Sequence, residues 1–422
     1  MKIFTFLVLN FYLIFGSNIY SKNIIANSVN FIDVEKAVSK AVPGDVIFIP
    51  AGSANWGTEH NLKVFGGITI IGEGKNRTII KRSQSSTNPL ITFECINGLQ
   101  SEVYDIGFIG NFFKEDIELY ENGTLKRNIT LSQGLGFLEG CQDFKVANCS
   151  FEGFGNCAIC IRDNKDNTTT QRGVVYENEF LDNFYSEVKN YGYGVVVYGD
   201  NVWPYDPNPT TRPEPILGTI NAVYVEDNFF SGNRHCIASN NASKYVFRYN
   251  TVKYTLPVIN YAMVDAHGES SAFFGEVPTG SLSYEIYENS FEVNTPEREQ
   301  VAGRAIGIRG GDGVIFNNKI SDKIHRNISL TKEHKNYKIP RCNTNQYETT
   351  HLNIWGNEEP KTSYGREITD NQGVFKVCSN IKYTPKKMKT TILFNTLILP
   401  ETLHLISQQS LQIKIKIILL HL

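Results

Sequence analysis

Apolar residues along this chain fall into short runs cut by Gly, Asn and Pro, and only one stretch shows a helical stripe. There Val34, Ala37, Val38 and Ala41 recur on one helical face, with Asp33 placed as the N-cap. Pro43-Gly44-Asp45 ends that element, and Val46-Ile47-Phe48-Ile49 follows as an apolar strand stopped by Pro50-Ala51-Gly52. Ile68-Thr69-Ile70-Ile71 before Gly72, and Thr78-Ile79-Ile80 before Lys81, repeat the form. Short β-branched strands separated by turn residues, with no long helices between them, predict an all-β chain.

A recurring phrase narrows the kind of all-β fold. Asn148, Asn178, Asn228, Asn250, Asn289 and Asn318 each precede a short strand-like run, at intervals of 22 to 50 residues. Self-similarity on that scale marks a solenoid. Asn at equivalent turns of parallel coils can stack and hydrogen-bond its neighbours, which accounts for a polar residue at an inward beat. The longer intervals carry insertions, and Pro204, Pro207, Pro209, Pro213 and Pro215 make 200–218 a surface loop.

The opening, Asp33-Val-Glu-Lys-Ala37 through Pro43-Gly-Asp-Val-Ile-Phe-Ile-Pro50-Ala-Gly52 and Ile68-Thr-Ile-Ile-Gly72, resembles the N-terminal cap and first coils of the pectate-lyase-like superfamily. Judged by repeat pattern, the resemblance spans residues 30 to 320. It implies a right-handed parallel β-helix with an N-terminal helical cap. Members include polysaccharide lyases, polygalacturonase-type hydrolases, epimerases, esterases and non-catalytic adhesins, so the fold leaves the reaction open.

Lys2, the apolar run Ile3 to Phe15 and the small residues Gly16, Ser17 and Ser21 predict a secretory signal peptide over 1–21, too short for a bilayer span. The β-helix domain is expected over 22–321 and an irregular extension over 322–385, with Cys342 and Cys378 candidates to pair. Residues 386–422 form a tail whose lysines break any membrane span. Export makes the sequons at Asn76, Asn122, Asn128, Asn148, Asn167, Asn241 and Asn327 readable. A net charge of -2 gives no global field for nucleic acid, so a polyanion would be held by local basic residues. A monomer is expected. Of the eight cysteines, Cys157-Ala-Ile-Cys160 has CxxC spacing without a second pair, which favours buried thiols or a local bridge over zinc.

Aligning the runs beside the Asn beats brings the chemistry together. Ile159-Cys-Ile-Arg162, Val195-Val-Val-Tyr198, Ile237-Ala-Ser-Asn240, Val264-Asp-Ala-His267 and Ile306-Gly-Ile-Arg309 share an apolar first position and a polar or aromatic fourth. Alternating faces then build an outward column of Arg162, Tyr198, Asn240, His267 and Arg309. The companion outward positions are Cys160, Val196, Ala238, Asp265 and Gly307, mostly small, as the floor of a groove for a flat sugar chain would be. Two positions before their runs, His235 and Arg304 also align, with Arg234 beside His235.

This set suits β-elimination from a uronate. His235 or His267 would serve as base or acid, Arg304 and Arg309 would neutralise the carboxylate, and Asp265 would orient His267 or bind a cation. Arg162, Tyr198, Arg234 and Asn240 are the candidate sugar contacts. Calcium, which the resemblance implies for many lyases, would use Asp265 and Glu269. The expected partner is thus an acidic polysaccharide. A non-catalytic glycan-binding protein and a hydrolase remain as alternatives, although a hydrolase needs paired carboxylates and the column holds no Asp pair.

Overall fold

The computed structural model describes residues 21–57, 60–82, 86, 88–96, 98–111, 132–138, 140–162, 171–184, 191–199, 217–254, 262–268, 280–293, 303–331, 349, 351–358, 366–370 and 382–384. Among these, three parallel sheets of twelve, ten and nine strands run side by side. In the regular region each strand pairs with the strand three places later, so every turn of chain gives one strand to each sheet. The architecture is a right-handed parallel β-helix, the hand that parallel crossovers adopt. Most of the expected signal peptide, most of the proline-rich insertion, Cys342, Cys378 and the tail after 385 lie outside the described residues. Among the described residues no helix is long and apolar enough to cross a membrane.

The one helix among the described residues covers the N-terminal end, Phe31–Val38, burying Phe31, Val34, Ala37 and Val38. It starts earlier than the spacing predicts. Asn30 is the N-cap, and Asp33 lies in the first turn, accepting a 2.5 Å hydrogen bond from Ser28 Oγ. Phe31 sets its ring edge against Trp56 at 5.2 Å, and Trp56 Nε1 donates to the Val29 carbonyl at 3.0 Å. These contacts close the open end of the coil stack, where the last strand edges would otherwise meet water.

Inside, like side chains stack coil on coil. Phe108, Phe151, Phe180 and Phe230 occupy one register position of the nine-stranded sheet, with successive centroids 5.1, 5.2 and 4.6 Å apart. The Asn column is the polar counterpart. Asn178, Asn228, Asn250, Asn289 and Asn318 each donate Nδ2 to the next Asn Oδ1, at 3.0, 3.1, 3.1, 2.9 and 2.9 Å, the last bond reaching Asn357. Each also donates to a backbone carbonyl of the preceding coil, as Asn250 Nδ2 does to Val225 O at 2.9 Å.

Asn148 does not belong to this ladder. It is the left-handed turn residue, φ 51°, one place ahead, and Cys149 takes the ladder position with its N–H on Asn178 Oδ1 at 2.9 Å. The equivalent turn residues are Glu177, Asp227, Tyr249, Glu288 and Asn317, all with positive φ.

The coil pattern also continues past residue 321, where the sequence suggests an irregular extension. Arg326–Leu330 and Arg366–Asp370 join the ten-stranded sheet, and Leu352–Trp355 and Lys382–Thr384 join the twelve-stranded one. Asn357, 39 residues after Asn318, is the ladder beat that marks it. Cys95 and Cys141 form a disulfide, while Cys157 and Cys160 are buried thiols. Asn327 is fully buried, so its sequon cannot carry a glycan in the folded chain.

Candidate active site

The ten-stranded sheet carries the predicted column. Strands Cys157–Arg162, Tyr193–Tyr198, His235–Asn240, Ala262–Ala266 and Arg304–Ile308 pair in register, aligning Ile159, Val195, Ile237, Val264 and Ile306 in the core. The next row, facing out, is Cys160, Val196, Ala238, Asp265 and Gly307. Arg162, Tyr198 and Asn240 align beyond it. His267 and Arg309 continue that row, their backbone N–H groups bonding Ser239 O at 3.1 Å and Ala266 O at 2.8 Å.

Strict alternation would turn His235 and Arg304 inward, because they lie two positions before a core residue. The strands instead turn a corner. Adjacent residues Cys236-Ile237, Met263-Val264 and Ala305-Ile306 both enter the core. The residue ahead of each pair, His235, Ala262 or Arg304, is thereby brought to the outer face. Cys157 and Tyr193 occupy the same position and cluster with Cys160, Val196 and Ala238, apart from the core.

Asp265 is the centre. It is 3% exposed, and Arg309 grips both of its oxygens, Nε to Oδ1 at 3.1 Å and Nη2 to Oδ2. His267 Nε2 lies 2.9 Å from Oδ2 and 2.5 Å from Arg309 Nη2, and His235 Nε2 lies 4.0 Å from Oδ2. Burial alone would raise the carboxyl's proton affinity. The Arg309 guanidinium and the His267 ring outweigh it and hold Asp265 well below the usual carboxylate range.

His235 has a different character. Its ring is buried, its Nδ1 is held at the Ala262 carbonyl, and it stacks on Tyr193 at 5.4 Å. Burial first, and the Arg234 charge next, push its proton affinity well below that of an ordinary imidazole. Arg234 lies over the same tyrosine, 5.5 Å from the ring centroid, with Nη1 donating to its hydroxyl at 3.2 Å. Arg234 and His235 therefore brace the floor through Tyr193. Asn240 Oδ1 accepts the Asn241 N–H at 2.9 Å, which ties it to the turn. Tyr198 is half-buried and Arg162 exposed, at the far end of the row.

The structure thus brings Asp265, His267, Arg309, His235 and Arg304 together and sets Arg162 and Tyr198 apart. Arg309 is committed to Asp265, while Arg304 lies close enough to Arg326, Asp265 and Arg309 to feel their charges. Glu269 lies outside the described residues. Both oxygens of Asp265 already accept from Arg309 and His267, an arrangement that does not fit a calcium ligand. Among the described residues no group of three His, Cys, Asp or Glu could hold a metal. Among the described residues no second carboxylate joins Asp265 in its row, where Ala238, Gly307 and Ser329 are its neighbours.

Two cations escape the sequence reading because their strands fall in the stretch taken as irregular. Arg326 and Arg366 follow Arg304 at the same register position. The signal is a triple Arg-x-Ile phrase, Arg304-Ala-Ile306, Arg326-Asn-Ile328 and Arg366-Glu-Ile368.

No family model and no curated protein matches the chain. Among solved structures, it is similar to the A-module of a mannuronan C-5 epimerase from Azotobacter vinelandii, at 12% identity over 87% of this chain and 98% of that one, TM-score 0.39. An endo-xylogalacturonan hydrolase from Aspergillus tubingensis aligns at 11% identity over 86% and 94%, TM-score 0.44. The catalytic unit of an α-1,3-glucanase from Streptomyces thermodiastaticus aligns at 10% over 89% and 71%, TM-score 0.34. Likenesses this distant carry no argument about chemistry, which rests on the site itself.

Proposed function

We propose that this protein acts outside the cell on an acidic, uronate-containing polysaccharide and cleaves it by β-elimination. One observation carries the reading. His267 is a part-exposed imidazole 2.9 Å from a buried carboxylate that stays ionised, with a half-buried cation, Arg304, on the adjacent strand.

In this reading Arg304 pairs with the uronate carboxylate, so the charge that develops on removing the neighbouring proton is met by a fixed cation. His267 takes the proton from the carbon alpha to the carboxylate. The electrons of that C–H bond form the carbon–carbon double bond as the bond to the glycosidic oxygen breaks, and water returns a proton to the departing oxygen. Asp265 stabilises the imidazolium that results, and Arg309 holds Asp265 in place. His235, buried and poor in proton affinity, positions the floor instead of carrying protons. Hydrolysis by two carboxylates lacks its second acid among the described residues of this face.

The test is incubation with pectate, alginate and chondroitin, with and without a chelator. Ultraviolet absorbance from unsaturated ends should appear with at least one of them and survive the chelator, because Arg309 and His267 already neutralise Asp265. New reducing ends without absorbance would mean hydrolysis. Binding without either product would mean a glycan-binding protein.

A further inference from the structure

Beyond Arg304 the cationic face does not stop. Arg304, Arg326 and Arg366 hold one register position on three consecutive strands, which lie about 4.8 Å apart in any sheet. Like charges directly opposite each other on neighbouring strands repel. Burial, then the Arg326 charge, lowers the proton affinity of Arg304, more than the Asp265 charge raises it. Among the described residues the one carboxylate in the adjoining row, Asp265, is already taken by Arg309 and His267.

Beside this column the polar bookkeeping is incomplete. Ser329 is fully buried in the same outward row as Asp265 and Gly307, and its Oγ has no hydrogen-bond partner; nor does the buried Nε of Arg326. An orphaned hydroxyl and an orphaned guanidinium N–H on one strand are costly to bury unless something outside the chain satisfies them. Gly307 lies between Asp265 and Ser329, so no side chain separates them. An oxyanion would satisfy both donors and relieve the repulsion at once.

We infer that Arg326 and Ser329 form a second oxyanion subsite, one strand beyond Arg304, which takes the acidic group of the neighbouring sugar unit. The inference rests on the proposed glycan reading and sharpens its substrate: a polymer with anionic groups, carboxylate or sulfate ester, on consecutive units. On the other side of Asp265 the same register position is held by Ala262, His235, Tyr193 and Cys157, none of them cationic at neutral pH. The anionic units accordingly lie toward the C-terminal coils.

The experiment compares the full chain with Arg326→Gln and Arg326→Lys, on a block polyuronate, on hyaluronan, whose carboxylates alternate with uncharged units, and on dextran sulfate, which has no carboxylate. Dissociation constants are measured at two salt concentrations, together with KM and kcat where product forms, and thermal midpoints check folding. Arg326→Gln should weaken block polyuronate by about 10- to 100-fold, as loss of a charge-assisted hydrogen bond implies. It should raise KM with kcat little changed, leave hyaluronan nearly unaffected and flatten the salt dependence; Arg326→Lys should recover part of the loss. Tight binding of dextran sulfate would identify sulfate as the group taken. Equal loss on hyaluronan and block polyuronate, or no loss on either in a folded variant, would overturn the subsite. If wild type binds block polyuronate through Arg326 but forms no unsaturated product, the subsite stands and the elimination reading falls.

Discussion

Asp265 explains why the other charged residues of the site behave as they do. A carboxylate this buried survives ionised because Arg309 and His267 surround it, and Arg309 is thereby committed to Asp265. The sequence pattern places all three of these residues on one face but reserves Arg309 for a substrate carboxylate, whereas its guanidinium bonds Asp265. Spacing shows which side chains share a face, whereas the pairing depends on side-chain reach across strands. His235 allows a test at this scale. It is faced by Arg234, Asp265 and Arg309, and its folded proton affinity is depressed, so the unfolded chain takes up the proton first as pH falls. Its contribution is fully present above about pH 6.5 and is lost below it, at up to about 1.4 kcal/mol per pH unit. Urea unfolding at pH 7.5 and 5.5 should show that loss in wild type and a smaller one in His235→Gln. Equal slopes would mean the ring is not held neutral.

At the scale of elements, the Asn ladder and the turn ahead of it have separate roles that a single recurring letter conceals. Asn250 accepts from the N–H and Nδ2 of Asn228, at 3.0 and 3.1 Å, and donates to Val225 O and Asn289 Oδ1. Removing its amide leaves several buried groups unmet, so Asn250→Ala should cost about 3 kcal/mol or more by denaturant midpoint. Asn148 sits in the exposed left-handed turn, where glycine is at home, and Asn148→Gly should change stability by less than about 0.5 kcal/mol. Comparable losses at the two positions would contradict the ladder. The sequence pattern places five of the six predicted Asn beats correctly. It misplaces Asn148 because an Asn is equally suited to a left-handed turn, and only the bond from Cys149 to Asn178 separates the two roles.

For the whole molecule, the coil architecture was legible because inward positions repeat: the Phe108 to Phe230 stack and the Asn beats come from the same winding. Its extent was not. Beyond 321 long polar stretches of sequence separate the strands, so periodicity fades, although Arg326-Asn-Ile328 and Asn357 continue the phrase. The corner that turns His235 and Arg304 outward was equally hidden, since it depends on two adjacent residues entering the core instead of one. These two features extend the site from a row of single residues to a face that joins the His267–Asp265 pair to a run of arginines.

The central claim is that His267, backed by Asp265, removes the proton in an elimination. The most direct measurement is the rate of unsaturated-end formation by His267→Ala beside wild type, at matched thermal midpoints, on whichever acidic glycan wild type cleaves. The account predicts a fall in kcat of about 100- to 10,000-fold, the usual worth of a positioned general base, with glycan binding retained. A folded His267→Ala protein that forms unsaturated ends at the wild-type rate would contradict it.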